Sequence, residues 1–371
     1  MKHKINHLFQ DPVLAIALIL ALLSMIFHKP DARYLKYIDF HTLILLFSLM
    51  LVSAGLKEIG FFQNVGEYFI GKVHSLKGLL ILLVSFCFFS SMLITNDVAL
   101  IIFVPLGILI LEMADSKDQI CFAVVFMAIA ANLGSMLTPI GNPQNLYLYH
   151  LSHFTIPQFI GLMLPYSAVS LLMLLLGVYI FAPKKTLTTF TVQISSKQPS
   201  GKSLIFYSSC FILCLLAVAG ILSSSLLFII MVGAFLCVRP SCLKKVDYHL
   251  LATFFFLFIF IGNMGRTPAF RVFIQSILEG NEYLTSVLVS QVISNVPAAI
   301  LLSSFTKHTT ALIVGTNIGG LGTLIASMAS LISYKQLALH QPEKKRAYIL
   351  LFTLWNLIFL AVLFTIGFYF S

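Results

Sequence analysis

Charged residues are scarce in this chain: Asp, Glu, Lys and Arg make up 10% of its 371 residues, whereas 59% are apolar. Soluble globular proteins carry roughly 25% charged residues and about 45–50% apolar ones. So few charges cannot cover the surface of a water-soluble domain of this size. The composition therefore excludes a soluble enzyme and a nucleic-acid-binding module. Tryptophan occurs once and phenylalanine 34 times, which suits helices that face lipid.

Cysteine spacing and charge distribution narrow the class further. The six cysteines show no C-x-x-C spacing and lie mostly inside apolar runs, so neither a disulfide framework nor a zinc site is expected. The net charge of +10 would ordinarily suggest an acidic partner. Here the basic residues sit in short loops between apolar runs, and this pattern is a signal of membrane topology.

The apolar runs predict an all-α polytopic membrane protein, since a spanning helix needs about 20 apolar residues. We expect about nine full spans, together with two re-entrant hairpins and two broken helices. The spans lie near residues 12–27, 38–56, 119–150, 157–182, 203–221, 223–239, 249–265, 309–337 and 346–370.

Two further apolar stretches carry polar residues at their centres. Residues 77–113 contain Thr95-Asn96-Asp97, and residues 282–306 contain Ser294-Asn295 followed by Pro297. Each arm is too short to cross a hydrocarbon core of about 30 Å, so the pattern predicts helical hairpins that enter the membrane and return. Polar, non-helical backbone at that depth is tolerated where protein or a water-filled cavity surrounds it. The alternative is one long, kinked span.

Basic loop residues predict the orientation. They cluster before the first span, in the polar linker 183–202, before the span at 249 and before the last span, all on one side of the predicted topology. The positive-inside rule makes that side cytoplasmic, although Lys29, Arg33 and Lys36 lie on the opposite face. We therefore expect a multi-pass protein of the cytoplasmic membrane with a cytoplasmic N-terminus.

The chain repeats itself weakly across the linker. Residues 12–182 form a first repeat with hairpin 77–113 and broken helix 119–150; residues 203–370 form a second with hairpin 282–306 and broken helix 309–337. The motif ITNDVALIIF matches ISNVPAAILL, and ANLGSMLTPIGNPQNLYLY matches TNIGGLGTLIASMASLISY. With the predicted orientation, the two copies are upside down relative to one another. Inverted repeats with paired broken segments are typical of secondary transporters with a site near the midplane.

Asp97 is the most informative single residue, because it is an acid at the centre of an apolar segment. A carboxylate at bilayer depth costs on the order of 3 kcal/mol or more and is a functional candidate by default. It could bind a cation or titrate. It could also cap the helix that follows, and the two roles are compatible. The second repeat has Val296 at the matching position.

The motifs ITNDVALIIFVPL, ANLGSMLTPIGNPQNL, ISNVPAAILL and TNIGGLGTLIASMAS, in this order, resemble the ion transporter superfamily. That group includes arsenite permeases, sodium/proton antiporters, the melanosomal P protein and sodium-coupled carboxylate and sulfate symporters. The resemblance implies a substrate held between the two hairpin tips, with no cofactor other than Na+ or H+ as coupling ion, and a possible homodimer. The implied substrate-binding residues are Thr95, Asn96, Asn142, Pro143, Ser294, Asn295 and Ser327. The implied coupling-ion residues are Asp97 with Asn96, Asn132, Gly134 and Thr138 in the first repeat, and Asn295, Asn317, Gly319 and Thr323 in the second.

One departure from the family pattern bears on the substrate. The carboxylate symporters carry Ser-Asn-Thr at both tips, whereas this chain has Thr95-Asn96-Asp97 and Ser294-Asn295-Val296. The Asn-Asp tip is closer to the arsenite permease and antiporter branch. The sequence thus predicts a secondary transporter that moves a small anion, coupled to Na+ or H+, by alternating access. Its alternatives are a cation/proton antiporter, an arsenite-type efflux permease and a passive channel; one intramembrane acid without a partnered Ser, His or Cys disfavours an enzyme.

Overall fold

The computed structural model describes residues 12–187 and 200–370, and these form an all-helical molecule without a β-strand. Eight helices within these ranges are long and apolar enough to cross a membrane. The predicted class, an all-α polytopic membrane protein, is confirmed. Residues 188–199 of the predicted linker, and the basic residues before the first span, lie outside the described residues.

The first half of the chain contains nine α-helices within the described residues. They are α1 Pro12–Phe27, α2 Tyr34–Tyr37, α3 Phe40–Glu58, α4 Phe61–Ile70, α5 Leu76–Ile94, α6 Asn96–Met113, α7 Ile120–Ser135, α8 Pro143–Ser152 and α9 Ile156–Phe181. Helices α5 and α6 are the two arms of the first predicted hairpin. Helices α7 and α8 are the two halves of the first predicted broken helix.

The second half follows the same order. Its α-helices are α10 Gly201–Val218, α11 Ser224–Val238, α12 Tyr248–Gly265, α13 Pro268–Leu278, α14 Glu282–Ile293, α15 Asn295–Ser303, α16 Thr309–Ile318, α17 Met328–His340 and α18 Lys345–Phe370. Helices α14 and α15 form the second hairpin, and α16 and α17 form the second broken helix.

Two aspartates begin corresponding helices in the two halves. Asp39 Oδ1 accepts a hydrogen bond from the Thr42 N–H at the start of α3, and Asp247 Oδ1 accepts one from the Leu250 N–H at the start of α12, both at 3.0 Å. Each carboxylate satisfies one of the N–H groups that a helix start leaves without an intrahelical partner. Asp39-Phe40-His41 and Asp247-Tyr248-His249, which have the same Asp-aromatic-His pattern, therefore begin corresponding helices in the two halves.

Helices from the two halves pack across each other at the centre of the molecule. The hairpin α5–α6 packs on α7, and α14–α15 packs on α16, within each half. Between the halves, α17 packs on α6 and α7, while α8 packs on α15 and α16. Helix α1 packs on α12, and α10 and α11 pack on α3. Each broken helix thus lies between its own hairpin and elements of the other half.

The arms of the first hairpin are longer than the sequence pattern predicts. Helices α5 and α6 have 19 and 18 residues, or about 28 Å at 1.5 Å per residue. The expectation that each arm is too short to cross the membrane is wrong for this hairpin. The break is confined to Thr95, so both arms stay helical up to it. Helices α14 and α15, with 12 and 9 residues, are short as expected.

Candidate functional site

Both hairpins break at one residue with the same unusual backbone. Thr95 has φ 70° and ψ 150°, and Ser294 has φ 73° and ψ 154°. The next N–H donates to the broken helix of the same repeat, from Asn96 to Gly141 O at 3.2 Å and from Asn295 to Ala326 O at 3.0 Å. Each tip is therefore joined by its backbone to the loop that interrupts the neighbouring helix.

The loops that interrupt the broken helices also correspond. Residues 136–142 separate α7 from α8, and residues 319–327 separate α16 from α17. The Thr138 hydroxyl donates to Met92 O at 2.5 Å, as the Thr323 hydroxyl donates to Gln291 O at 3.0 Å. These hydroxyl groups attach each loop to the first arm of its hairpin.

Asn132 connects the two halves of the molecule. Its Oδ1 accepts hydrogen bonds from Asn96 Nδ2 at 3.0 Å and from Ser327 Oγ at 2.9 Å. Its Nδ2 donates to Ser330 Oγ at 3.3 Å. All four side chains are buried, so this network ties the first tip and the first broken helix to the start of α17. Three of the predicted residues are thus in direct contact.

The matching residue of the second half is bonded differently. Asn317 Nδ2 donates to Asn145 Oδ1 at 2.6 Å and to Ile313 O at 2.8 Å. Its Oδ1 is buried and accepts no hydrogen bond from the described residues. Asn295 packs near Gly320, and its side-chain bond is with Ser294 Oγ rather than with Asn317.

Four helices begin at one small polar pocket between the tips. They are α6, α8, α15 and α17, and none of the residues that precede them caps its helix with a side-chain hydrogen bond. A helix start carries roughly half a positive charge and N–H groups without intrahelical partners. The pocket has a volume of about 10 Å³ and is lined by Asn96, Asp97, Asn142, Pro143, Gln144, Leu250, Asn295, Val296, Ser327 and Met328.

Polar atoms without partners are concentrated in this pocket. Asp97 Oδ1, Asn142 Oδ1 and Gln144 Nε2 are buried and form no hydrogen bond with the described residues. Buried polar groups are nearly always paired in proteins, so such a group calls for an explanation such as a bound ion. The pocket thus offers two oxygens, of Asp97 and Asn142, that can coordinate a cation. It also offers the helix starts and the side-chain N–H groups of Gln144, which can bind an anion.

A larger cavity connects the first tip to the surface. It has a volume of about 490 Å³ and runs from Thr95 and Asp97, between α3 and α6, to the exposed side chains of Lys57, Lys245 and Asp247. Its walls are mostly apolar. Lys245 forms an ion pair with Glu58 at 2.8 Å at the outer end. The cavity gives the tip pocket a route to one side of the molecule.

Six of the fourteen predicted site residues line this pocket: Asn96, Asp97, Asn142, Pro143, Asn295 and Ser327. Thr95 lines only the larger cavity, and the buried Ser294 donates to Ala326 O at 3.3 Å, behind the second tip. Gly134, Thr138, Gly319 and Thr323 lie in or beside the two loops. Gln144 and Gln291 were not among the predicted site residues. The position of Gln144, between Pro143 and Asn145 in a polar stretch, was a signal that could have indicated it.

The described helices define a polytopic membrane protein, and the family that the chain matches is one of transporters and not of enzymes. A family model described as citrate transporter matches residues 11–310. The chain therefore belongs to the citrate transporter family, within the ion transporter superfamily that its motifs resemble.

Individual relatives agree with the family. An uncharacterized transporter of Methanocaldococcus jannaschii is 36% identical over 325 residues, which cover 87% of each chain. The inner membrane protein YbiR of Escherichia coli is 32% identical over 302 residues, or 80% of each chain. The silicon efflux transporter LSI3 of Oryza sativa subsp. japonica is 32% identical over 152 residues, 40% of this chain and 30% of the rice protein.

Proposed function

We propose that this protein is a secondary active transporter that moves a small anion together with Na+ or H+. The observation that supports it best is the convergence of four helix starts without side-chain caps on one pocket that also holds an unpartnered carboxylate oxygen. The helix starts attract an anion, and the Asp97 carboxylate attracts a cation. Each ion makes the pocket a better site for the other, which is the physical requirement for coupling.

The way the tips are attached supports alternating access. The first hairpin and the broken helix α7–α8 are joined by the Thr138–Met92 and Asn96–Gly141 bonds, so they move as one unit. The cavity of about 490 Å³ runs from the first tip to Lys245, and Lys245 belongs to a basic cluster of the side predicted to be cytoplasmic. In this arrangement the site faces the cytoplasm, and motion of the hairpin units against α3 closes that route.

An arsenite-type efflux permease or a cation/proton antiporter is the second candidate. The pocket between the tips has no basic side chain among its lining residues, and its volume of about 10 Å³ is small. Both features suit an uncharged oxyacid or a lone cation better than a polycarboxylate. The four helix starts favour the anion.

The test uses Asp97→Asn in proteoliposomes with imposed Na+ and pH gradients. We expect wild-type protein to accumulate one anion of a panel of citrate, succinate and sulfate against its gradient, whereas transport of arsenite, which is uncharged at neutral pH, would favour the second candidate. Asp97→Asn should lose at least tenfold of this gradient-driven uptake, because the amide lacks the charge that attracts the cation. The exposed Asp118 provides the control, and Asp118→Asn should transport normally.

Three results would reject parts of this proposal. Full cation-driven uptake by Asp97→Asn would exclude the coupling role of this residue. Proton movement driven by Na+ alone, without any added anion, would favour the antiporter, whereas single-channel currents without accumulation would indicate a passive channel.

A further inference from the structure

One side-chain amide, that of Gln291, forms hydrogen bonds with the backbone of the loop that interrupts the second broken helix. Gln291 Nε2 donates to Gly319 O and to Leu321 O, both at 2.8 Å. Gln291 Oε1 accepts from the Thr323 N–H at 3.0 Å. Buried carbonyl groups need a partner, and a neutral amide that donates to two of them meets the same electrostatic need as a cation that they coordinate.

The first repeat has no such group at the matching position. Since the Thr138 hydroxyl bonds to the Met92 carbonyl as the Thr323 hydroxyl bonds to that of Gln291, Met92 is the counterpart of Gln291. A methionine side chain has no N–H donor. In the first repeat Asn145 Nδ2 donates instead to Ser135 O at the end of α7 and to Met136 O and Thr138 O of the loop, at 3.3 to 3.5 Å, the long limit of a hydrogen bond.

A second pair of corresponding residues, one from each repeat, also differs. Gly322 has φ +102°, and a Cβ there would lie 2.3 Å from Gln291 Oε1. In the register that aligns Asn132 with Asn317, the counterpart of Gly322 is Leu137. The second repeat thus combines the amide of Gln291 with the glycine that makes room for it, whereas the first repeat has Met92 and Leu137 at these two positions.

The second repeat also lacks the negative charge of the first. Val296 stands where the first tip has Asp97. Asn317 Oδ1 is buried there and has no hydrogen-bond partner among the described residues, but a neutral amide oxygen attracts a cation less than a carboxylate does. The second loop therefore has no carboxylate to attract a cation, and two of its carbonyl groups already accept hydrogen bonds from Gln291.

We propose that the Gln291 amide stands in for a cation in the second loop, so that the transporter binds one coupling cation per cycle, in the first repeat. This inference rests on the proposed function, in which Asp97 holds that cation. It replaces the symmetric pair of cation sites that the matched residues Asn132 and Asn317 suggest.

Ion stoichiometry tests the inference on the full-length protein in lipid nanodiscs. Thermal stability is measured against NaCl, with choline chloride as the balancing salt, and against pH in choline chloride alone. Ligand binding to the folded state raises stability in proportion to the number of ions bound. We expect the wild-type dependence to match one ion and to vanish in Asp97→Asn. A dependence on two ions, or one that persists in Asp97→Asn, would overturn the inference.

Substitutions of Gln291 provide the second arm. Gln291→Met copies the first repeat and leaves two carbonyls without donors, so we expect lower stability and a dependence on cation concentration that rises from one ion to two. Gln291→Glu places a carboxylate against those carbonyls, so its stability should increase with NaCl or with falling pH more steeply than that of the wild type. Gln336→Met and Gln336→Glu, at a half-buried position in α17, are the matched controls.

The outcomes separate this inference from the proposed function. If Gln291→Met does not fold, Gln291→Glu decides, and a cation and pH dependence like the wild type would refute the role of the amide. If no anion is transported but Gln291→Glu acquires a new cation dependence, the proposed function fails and the role of the amide stands. If Asp97→Asn abolishes coupling but Gln291→Met keeps wild-type stability and ion number, only the inference falls.

Discussion

Gly134→Ala is the substitution for which the structure gives the sharpest expected magnitude. A Cβ at Gly134 would lie 2.0 Å from Phe88 O and 2.7 Å from Ser91 Oγ, both on α5. Ordinary contacts begin at 3.4 Å, so the backbones of α5 and α7 must separate by about 1.4 Å. The obstacle is a carbonyl group of a packed helix, which cannot rotate away as a side chain does.

The expected cost lies at the upper end of the range for overpacking, about 3 kcal/mol. This corresponds to a fall of roughly 150-fold in the ratio of folded to unfolded protein. Transport should also be lost, because separating α5 from α7 pulls Thr138 away from Met92 and distorts the tip. Gly319→Ala, with its nearest atoms at 2.8 Å, should cost less, about 1–2 kcal/mol.

The assay is equilibrium unfolding by SDS in mixed micelles, followed by the fluorescence of Trp355. This single tryptophan packs against Phe126 of α7, with ring centroids 4.8 Å apart, and reports on the helix in question. Gly161→Ala in α9 is the control, since a Cβ there meets no atom within 4 Å. Its stability should stay unchanged or rise by up to about 1 kcal/mol. Equal stability of Gly134→Ala and Gly161→Ala would refute the close approach of α5 and α7.

Two further predictions test the network and the orientation. Asn132→Leu leaves the side-chain donors of Asn96 and Ser327 unpaired in a buried position. We therefore expect the free energy of unfolding to fall by about 2–4 kcal/mol in the same assay, and transport to be lost. Wild-type stability and transport would contradict this prediction. Cys237, the exposed cysteine at the end of α11 two residues before Arg239, should react with a membrane-impermeant maleimide only in inside-out vesicles. Labelling of intact cells would reverse the predicted orientation.

Local chemistry explains why much of this fold was predictable. The carboxylates of Asp39 and Asp247 start α3 and α12, and Pro143 begins α8 where its missing N–H costs nothing. The polar residues in the middle of apolar runs placed the breaks at Thr95 and Ser294. Each of these signals depends on residues that are close in sequence.

The remaining features depend on contacts between distant segments. The bond from Ser327 to Asn132 joins the two halves of the chain, and neither residue type indicates that partner. The amide of Gln291 fits the second loop because Gly322 leaves room for it, and this match exists only after α14 packs on α16. The sequence pattern underestimated the lengths of α5 and α6, because only one residue, Thr95, separates the two helices.

The backbone at Thr95 and Ser294 connects stability to function. Their φ near +70° and ψ near 150° fall in a region that essentially only glycine adopts, at a cost of about 1–3 kcal/mol for each residue. Both halves nevertheless keep a hydroxyl residue there. Strained backbone of this kind persists where the surrounding structure holds it, and it concentrates at functional sites.

We therefore expect Thr95→Gly and Ser294→Gly to raise the free energy of unfolding by about 1 kcal/mol, the relief of strain less the greater freedom of glycine in the unfolded chain. The same substitutions should loosen the tips and reduce coupled transport, because a glycine no longer fixes the direction in which α6 and α15 begin. His153→Gly is the control: it relieves the cost of a positive φ of 55° at the end of α8, and it should gain stability without loss of transport. Loss of stability in both tip variants would show that the hydroxyl residues are held there by their contacts and that their backbone is not strained.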